Sequence, residues 1–86
     1  MMYAAARTLI AERLGPPDDD GGLGPRWLCR ETGRTPVLRV ELRGGEPPVL
    51  LVEGVEDRAS ELYEMRRIEV WFPAHVMWLL ERVRRA

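Results

Sequence analysis

The sequence predicts an α+β domain: a small, largely antiparallel sheet of three to four strands flanked by an N-terminal and a C-terminal helix. Three observations lead there. Apolar residues recur at helical spacing at both ends of the chain. Between those ends lie three short apolar runs bounded by Gly and Pro. Successive runs are close enough to be joined by hairpins, which places the helices at the ends rather than between strands.

Met2, Tyr3, Ala6, Leu9, Ile10 and Leu14 share one broad helical face, so Met2 to Leu14 reads as the first helix. Gly15 can supply the C-terminal cap, and Pro16-Pro17 prevents continuation. Pro16 to Pro25 then reads as a flexible acidic loop with Leu23 as its one large apolar side chain. Arg26 to Glu31 and Pro36 to Arg43 flank Thr32-Gly33, a tight hairpin turn; a two-residue loop pairs Trp27 with Leu38 and Cys29 with Pro36. Trp27 and Cys29 then join the face of Leu38, Val40 and Leu42, while Arg39, Glu41 and Arg43 lie opposite. The third strand, within Pro47 to Glu53, is apolar on both faces at Val49-Leu50-Leu51-Val52, which calls for cover on both sides. Two helices cover one face; a partner subunit or part of the loop is the expected cover for the other.

From Glu53 to Arg67 two readings compete. Asp57 can cap two helical turns from Arg58 to Met65, or the alternation Leu62, Glu64, Arg66, Ile68, Val70, Phe72 can form one long strand. A short helix or turn followed by a strand from about Arg66 to Phe72 fits the β-branched and aromatic content better. Pro73 opens the final helix, read as Ala74 to Arg85, with Val76, Leu79, Leu80 and Val83 as its apolar stripe and Met77 beside it. At about 100° per residue, Trp78 falls on the opposite face among Ala74, Glu81, Arg82 and Arg85.

Composition narrows the function classes. At 86 residues the chain is one domain, 1–86. A chain of that size buries only roughly 60–65% of its unfolded surface, so oligomerisation is a natural supplement to its core. Hydrophobic residues at 45% and charged residues at 31% mark a folded rather than a disordered chain. Thirteen basic and fourteen acidic residues give a net charge of −1, so no global field draws the protein to nucleic acid or to a membrane. Every basic residue is Arg, the mark of a GC-rich coding sequence, so an individual Arg is weak evidence of a chosen ligand. A lone cysteine, Cys29, excludes an internal disulfide and fits a reducing compartment. Arg7, Glu12 and Arg13 interrupt the apolar residues of the first helix as no secretory signal would, and no run approaches the length of a membrane span. A cytoplasmic location is the expectation.

No motif carries catalysis, and no cofactor or metal site is expected. Cys29 and the sole histidine, His75, would form a nucleophile and base only if a cleft joined them; a buried structural thiol is the commoner case. Asp18-Asp19-Asp20-Gly21-Gly22 lacks the alternating ligands of a calcium loop, since consecutive carboxylates point in different directions. A second acidic run, Glu53, Glu56, Asp57, Glu61 and Glu64, reads as a solvated face. Gly21-Gly22-Leu23-Gly24 lacks the spacing and following helix of a phosphate cradle.

Two contact surfaces remain. Trp78 lies on the polar side of its helix, where it stacks on Arg82 at i+4 or docks on another surface. With Trp71, His75, Arg82 and Arg85 it forms the expected partner-binding set, most simply for a homodimer, otherwise for another protein. The alternative is a nucleic-acid-binding regulator using Arg39, Arg43 and Trp71 on the sheet face, where an aromatic amid arginines suits a single strand. The strand, proline and helix of Arg67 to Val83 resemble the first half of a ribbon-helix-helix repressor. That resemblance implies a strand pairing across a dimer with Arg67, Glu69 and Trp71 facing the major groove; the family's second helix has no counterpart before Ala86.

Overall fold

A computed structural model describes residues 1–55 and 66–86. It is an α+β fold in two layers. Helix α1 (Tyr3–Leu14) precedes strands β1 (Arg26–Glu31), β2 (Val37–Arg43), β3 (Val49–Gly54) and β4 (Arg66–Glu69). Helix α2 (Pro73–Leu80) and a short strand β5 (Val83–Arg85) complete it. The sheet is antiparallel throughout, in the order β4-β3-β2-β1-β5. Both helices lie on one face. Ala6, Ile10 and Leu14 of α1 and Val76, Leu79 and Leu80 of α2 close over Trp27, Cys29, Val40, Leu42, Leu50 and Val52. No helix among the described residues is long and apolar enough to cross a membrane.

Three sequence expectations need correction. The β1–β2 register is Trp27 to Val40 and Cys29 to Leu38, displaced by two residues from the tight-hairpin expectation. The turn itself forms at Thr32-Gly33, with the Arg34 N–H donating to the Glu31 carbonyl at 2.9 Å, but Thr35 and Pro36 lengthen the connection. A shift of two leaves every side chain on its expected face, because the strand period is two. The final helix stops at Leu80 rather than Arg85, and Val83 to Arg85 pair with β1 as a fifth strand. The Thr32 N–H donates to the Arg82 carbonyl and the Ala86 N–H to the Leu28 carbonyl, so the otherwise open edge of β1 gains a ladder. Val83 is buried in either arrangement, which is why its apolar spacing did not reveal the break. Strand β4 ends at Glu69 rather than Phe72: the Val70 N–H still reaches the Pro48 carbonyl, but Pro47 and Pro48 have no N–H to continue the ladder. The helix proposed for Arg58 to Met65, with its cap Asp57, lies outside the described residues.

The loop after α1 is held by its three aspartates, each on a different arginine. Asp18 accepts from Arg85 at 2.8 Å, Asp19 from Arg26 at 2.9 Å, and Asp20 from Arg7. Three consecutive carboxylates thus diverge, as backbone geometry requires. Arg85 donates through one nitrogen to the carbonyls of Leu14 and Pro16, both at 2.6 Å, which satisfies acceptors that the end of α1 leaves unpaired. The indole of Trp27 donates to the Gly15 carbonyl at 2.9 Å and completes that cap from β1.

The second face of the sheet carries a mosaic of charge. Arg26, Leu28 and Arg30 of β1 stand beside Val37, Arg39, Glu41 and Arg43 of β2. Val49, Leu51 and Glu53 of β3 adjoin Arg67 and Glu69 of β4, and Arg84 of β5 lies opposite Arg30. Val49 and Leu51 are the apolar side chains of β3 on this face, for which a partner subunit or part of the loop is the expected cover. Leu51 is buried at the base of a shallow depression lined by Arg26, Arg39, Glu41, Arg43 and Glu53. Long arginine stems cover it while their heads stay in water.

Glu41 organises that depression. Its carboxylate accepts from Arg26 Nε at 2.7 Å and Arg43 Nε at 2.8 Å. Burial would push the Glu41 carboxyl up, but the two hydrogen bonds and the charges behind them outweigh burial and hold it below the usual range. A depressed folded-state value means the stabilisation is complete above the unfolded value of about 4.3 and is lost as pH falls through the folded one. Glu41→Gln should therefore cost about 1–2 kcal/mol at neutral pH, the partners being partly solvated. It should also flatten the fall in stability below about pH 4.3. Urea unfolding at a series of pH values measures both; parallel pH profiles for the two proteins would refute the assignment.

Candidate functional site: the outer face of the last helix

The segment from Trp71 to Arg82 collects the exposed large aromatic rings among the described residues. Because β4 cannot continue past Pro48, Trp71 and Phe72 leave the sheet, and Pro73 starts α2 with its fixed φ at the first helical position. His75 secures the junction. Its Nδ1 accepts from the Trp71 N–H at 3.0 Å and the Phe72 N–H at 3.2 Å, taking up backbone donors at the helix start. With Nδ1 accepting, the proton of the neutral ring belongs on Nε2.

From there the helical spacing generates a stripe. Phe72 packs on His75 with ring centroids 5.6 Å apart. One turn on is Trp78, and Arg82 lays its guanidinium over the Trp78 ring at 4.1 Å while donating to the Trp78 carbonyl at 2.7 Å. Trp71 stands at the edge of the other sheet face, its indole donating to Glu69 at 3.0 Å. Phe72 is 66% exposed, Trp71 52% and Trp78 42%, an unusual concentration for one twelve-residue stretch of a small domain.

Of the residues expected from sequence, the structure brings His75 and Trp78 of α2 together with Arg82 in the turn that follows, and sets Trp71 just before the helix. The Trp78 indole stacks on Arg82 and remains 42% exposed. Arg85 does not join them; it is engaged with the end of α1 and Asp18. Sequence reasoning passed over Phe72 by leaving it in the strand. Its position directly before Pro73, across from a strand partner interrupted by two prolines, is the signal that it must leave the sheet. Arg39 and Arg43, the other expected set, are paired with Glu53 and Glu41 on the charged face. Within the chain, the strand of the repressor resemblance, β4, pairs with β3 and forms one edge of the sheet.

Cys29 and His75 are not poised as nucleophile and base. Cys29 is fully buried on β1, and burial, with the nearby Asp18 carboxylate, pushes its thiol up to about 11. Such a thiol is unreactive at neutral pH. Of the second acidic run only Glu53 lies among the described residues, where it is the partner of Arg39. No family model, curated protein or solved structure matches the chain.

Proposed function

We propose that the protein is a non-enzymatic interaction module that binds a second copy of itself through the outer face of α2. The observation that carries this reading is the stripe Phe72, His75, Trp78, Arg82, with Trp71 at its head, exposed on a helix whose inner face is already filled. A two-fold contact would set the stripe against its own copy, ring against ring and Arg82 against a partner indole. The uncovered part of each large ring is on the order of 100 Å², which contributes about 2–3 kcal/mol when buried. A few such rings are enough to decide assembly for a domain this small. A reducing cytoplasm is the setting that the single buried thiol favours.

Sedimentation across a concentration series tests the proposal. The wild type should self-associate in the micromolar range, and Trp78→Ala or Phe72→Ser should weaken association by at least about tenfold. A wild type that stays monomeric at high micromolar concentration would overturn the homodimer.

A nucleic-acid role is the second reading, and one observation supports it. The charged face carries Arg26, Arg30, Arg39, Arg43, Arg67 and Arg84 against Glu41, Glu53 and Glu69, so it is locally basic although the chain is not. Arg39 and Arg43, with Trp71, would contact the strand. It ranks second because each of those arginines is already spent on a carboxylate. Binding to RNA that weakens steeply with salt would reverse the order.

A further inference from the structure

The start of α2 is closed by a histidine. Phe72 stands at the N-cap position with extended backbone and no side-chain acceptor for the first turn. A capping box also works in reverse: the third helical residue reaches back to the N-cap N–H, and Glu or Gln ordinarily fills that place. Here the third residue is His75. Its Nδ1 accepts from the Phe72 N–H at 3.2 Å and from the Trp71 N–H at 3.0 Å. A single lone pair thus holds two successive residues, and both carry exposed aromatic rings.

We propose that this contact is a proton-operated latch: protonation of His75 releases Trp71 and Phe72 from the start of α2 and breaks up the aromatic stripe. Histidine is the side chain that ordinarily changes charge between about pH 5 and 8, and its cation has a donor at both ring nitrogens. Protonated Nδ1 points an N–H at the two N–H groups it had accepted from, so the donors must separate. The first turn of a helix is itself positive, which adds to the cost of an imidazolium there. The ring is half-buried, so a proton reaches it without unfolding the domain. Among the described residues, the charges around the junction have other partners or lie apart from it. Glu69 of β4 accepts from Arg67 and from the Trp71 indole, and the Met1 α-ammonium donates to the Trp71 carbonyl. On α1, Arg7 is held by Asp20, while Glu12 and Arg13 lie in the last turn. Glu46 lies in the β2–β3 turn, two residues before the Pro48 that holds Val70. β5 follows the other end of α2, where Arg85 is tied to Asp18. The released state binds the proton and the latched state does not, so the latch prevails at neutral pH and gives way as pH falls through the histidine range. Its consequence rests on the self-association reading: a dimer built on the stripe loosens on mild acidification.

Amide NMR across a pH titration reads the latch directly. Between about pH 7.5 and 5.5 ordinary carboxylates stay ionised while histidine takes up its proton. The Trp71 and Phe72 amide protons should move upfield together as they lose their acceptor, following the His75 ring resonances. They should do so in the wild type and in the association-weakened Trp78→Ala alike, which places the movement in the single chain. His75→Gln keeps an acceptor at the third helical position and should hold both amides fixed over the same range. Sedimentation of the wild type should show the dissociation constant rising by about tenfold at the lower pH, as when the binding-competent population falls to about one tenth. His75→Gln, whatever its affinity at neutral pH, should show no such rise. Amide shifts in a wild type that never associates would sustain the latch and refute only the dimer. Trp71 and Phe72 amides that stay fixed while the His75 ring titrates, or that move equally in His75→Gln, would overturn the proposal.

Discussion

Trp27→Ala should abolish folding or come close to it. The side chain is fully buried in the layer between α1 and the sheet, and truncating a buried Trp costs about 3–5 kcal/mol through lost transfer energy and the cavity left behind. A domain of this length has a total stability on the order of 4–13 kcal/mol. The loss also has a polar part. Without the indole N–H, the part-buried Gly15 carbonyl at the end of α1 loses its donor, which costs about 1 kcal/mol more. Trp27→Phe separates the two contributions. It keeps a ring in the core but removes the donor, and it should lower the melting temperature by about 10 °C, taking roughly 2 kcal/mol at 4–8 °C each. Urea unfolding followed by circular dichroism at 25 °C is the measurement. A Trp27→Ala protein within about 1 kcal/mol of wild type would mean the tryptophan is not the keystone of this core.

That keystone was only half legible in the sequence, and the reason is general to this fold. The inward face of Trp27 followed from strand alternation, which is local. Its bond to Gly15 depends on where a helix twelve residues earlier ends over the sheet, which is not. The same division runs through the chain. Helix α1 was readable because Ala6, Ile10 and Leu14 repeat at helical spacing and Gly15-Pro16-Pro17 ends it. Strand β5 was not, because Val83 completes a helical stripe as well as it pairs with Glu31, and only the open edge of β1 decides between them. Asp18, Asp19 and Asp20 looked like a solvated cluster, since two of their partners, Arg7 and Arg85, lie at opposite ends of the chain.

At the candidate site the pattern repeats. The stripe of His75, Trp78 and Arg82 came from arithmetic on one helix, and the stack of Arg82 on Trp78 is a contact at i+4. Arg85 was assigned to the same surface by that arithmetic and left it once the helix ended early.

Gly24→Ala should be the most damaging change of a single methyl group. Gly24 adopts φ +155°, a conformation that L side chains rarely adopt. A Cβ there would also overlap the carbonyl oxygen of Leu42, which is backbone in the middle of the sheet and cannot step aside. The neighbouring Pro25 carbonyl accepts from the Leu42 N–H at 3.1 Å, so the end of the loop runs alongside β2 at hydrogen-bonding distance, one step beyond the Arg26–Glu41 pair, and the glycine is what permits that approach. Relieving the overlap means breaking this bond and lifting buried Pro25 away from the sheet. Strain and lost contacts together should cost about 2–4 kcal/mol. Gly33→Ala is the matched control. Gly33 also has a positive φ, +83°, but open space where its Cβ would stand, so only the conformational penalty of about 1–2 kcal/mol applies. If urea unfolding shows equal losses at the two glycines, close approach contributes nothing and the loop is held against β2 by other means. A larger loss at Gly24 assigns the difference to the contact with Leu42, and with it the anchoring of a loop whose aspartates tie α1, β1 and β5 into one unit.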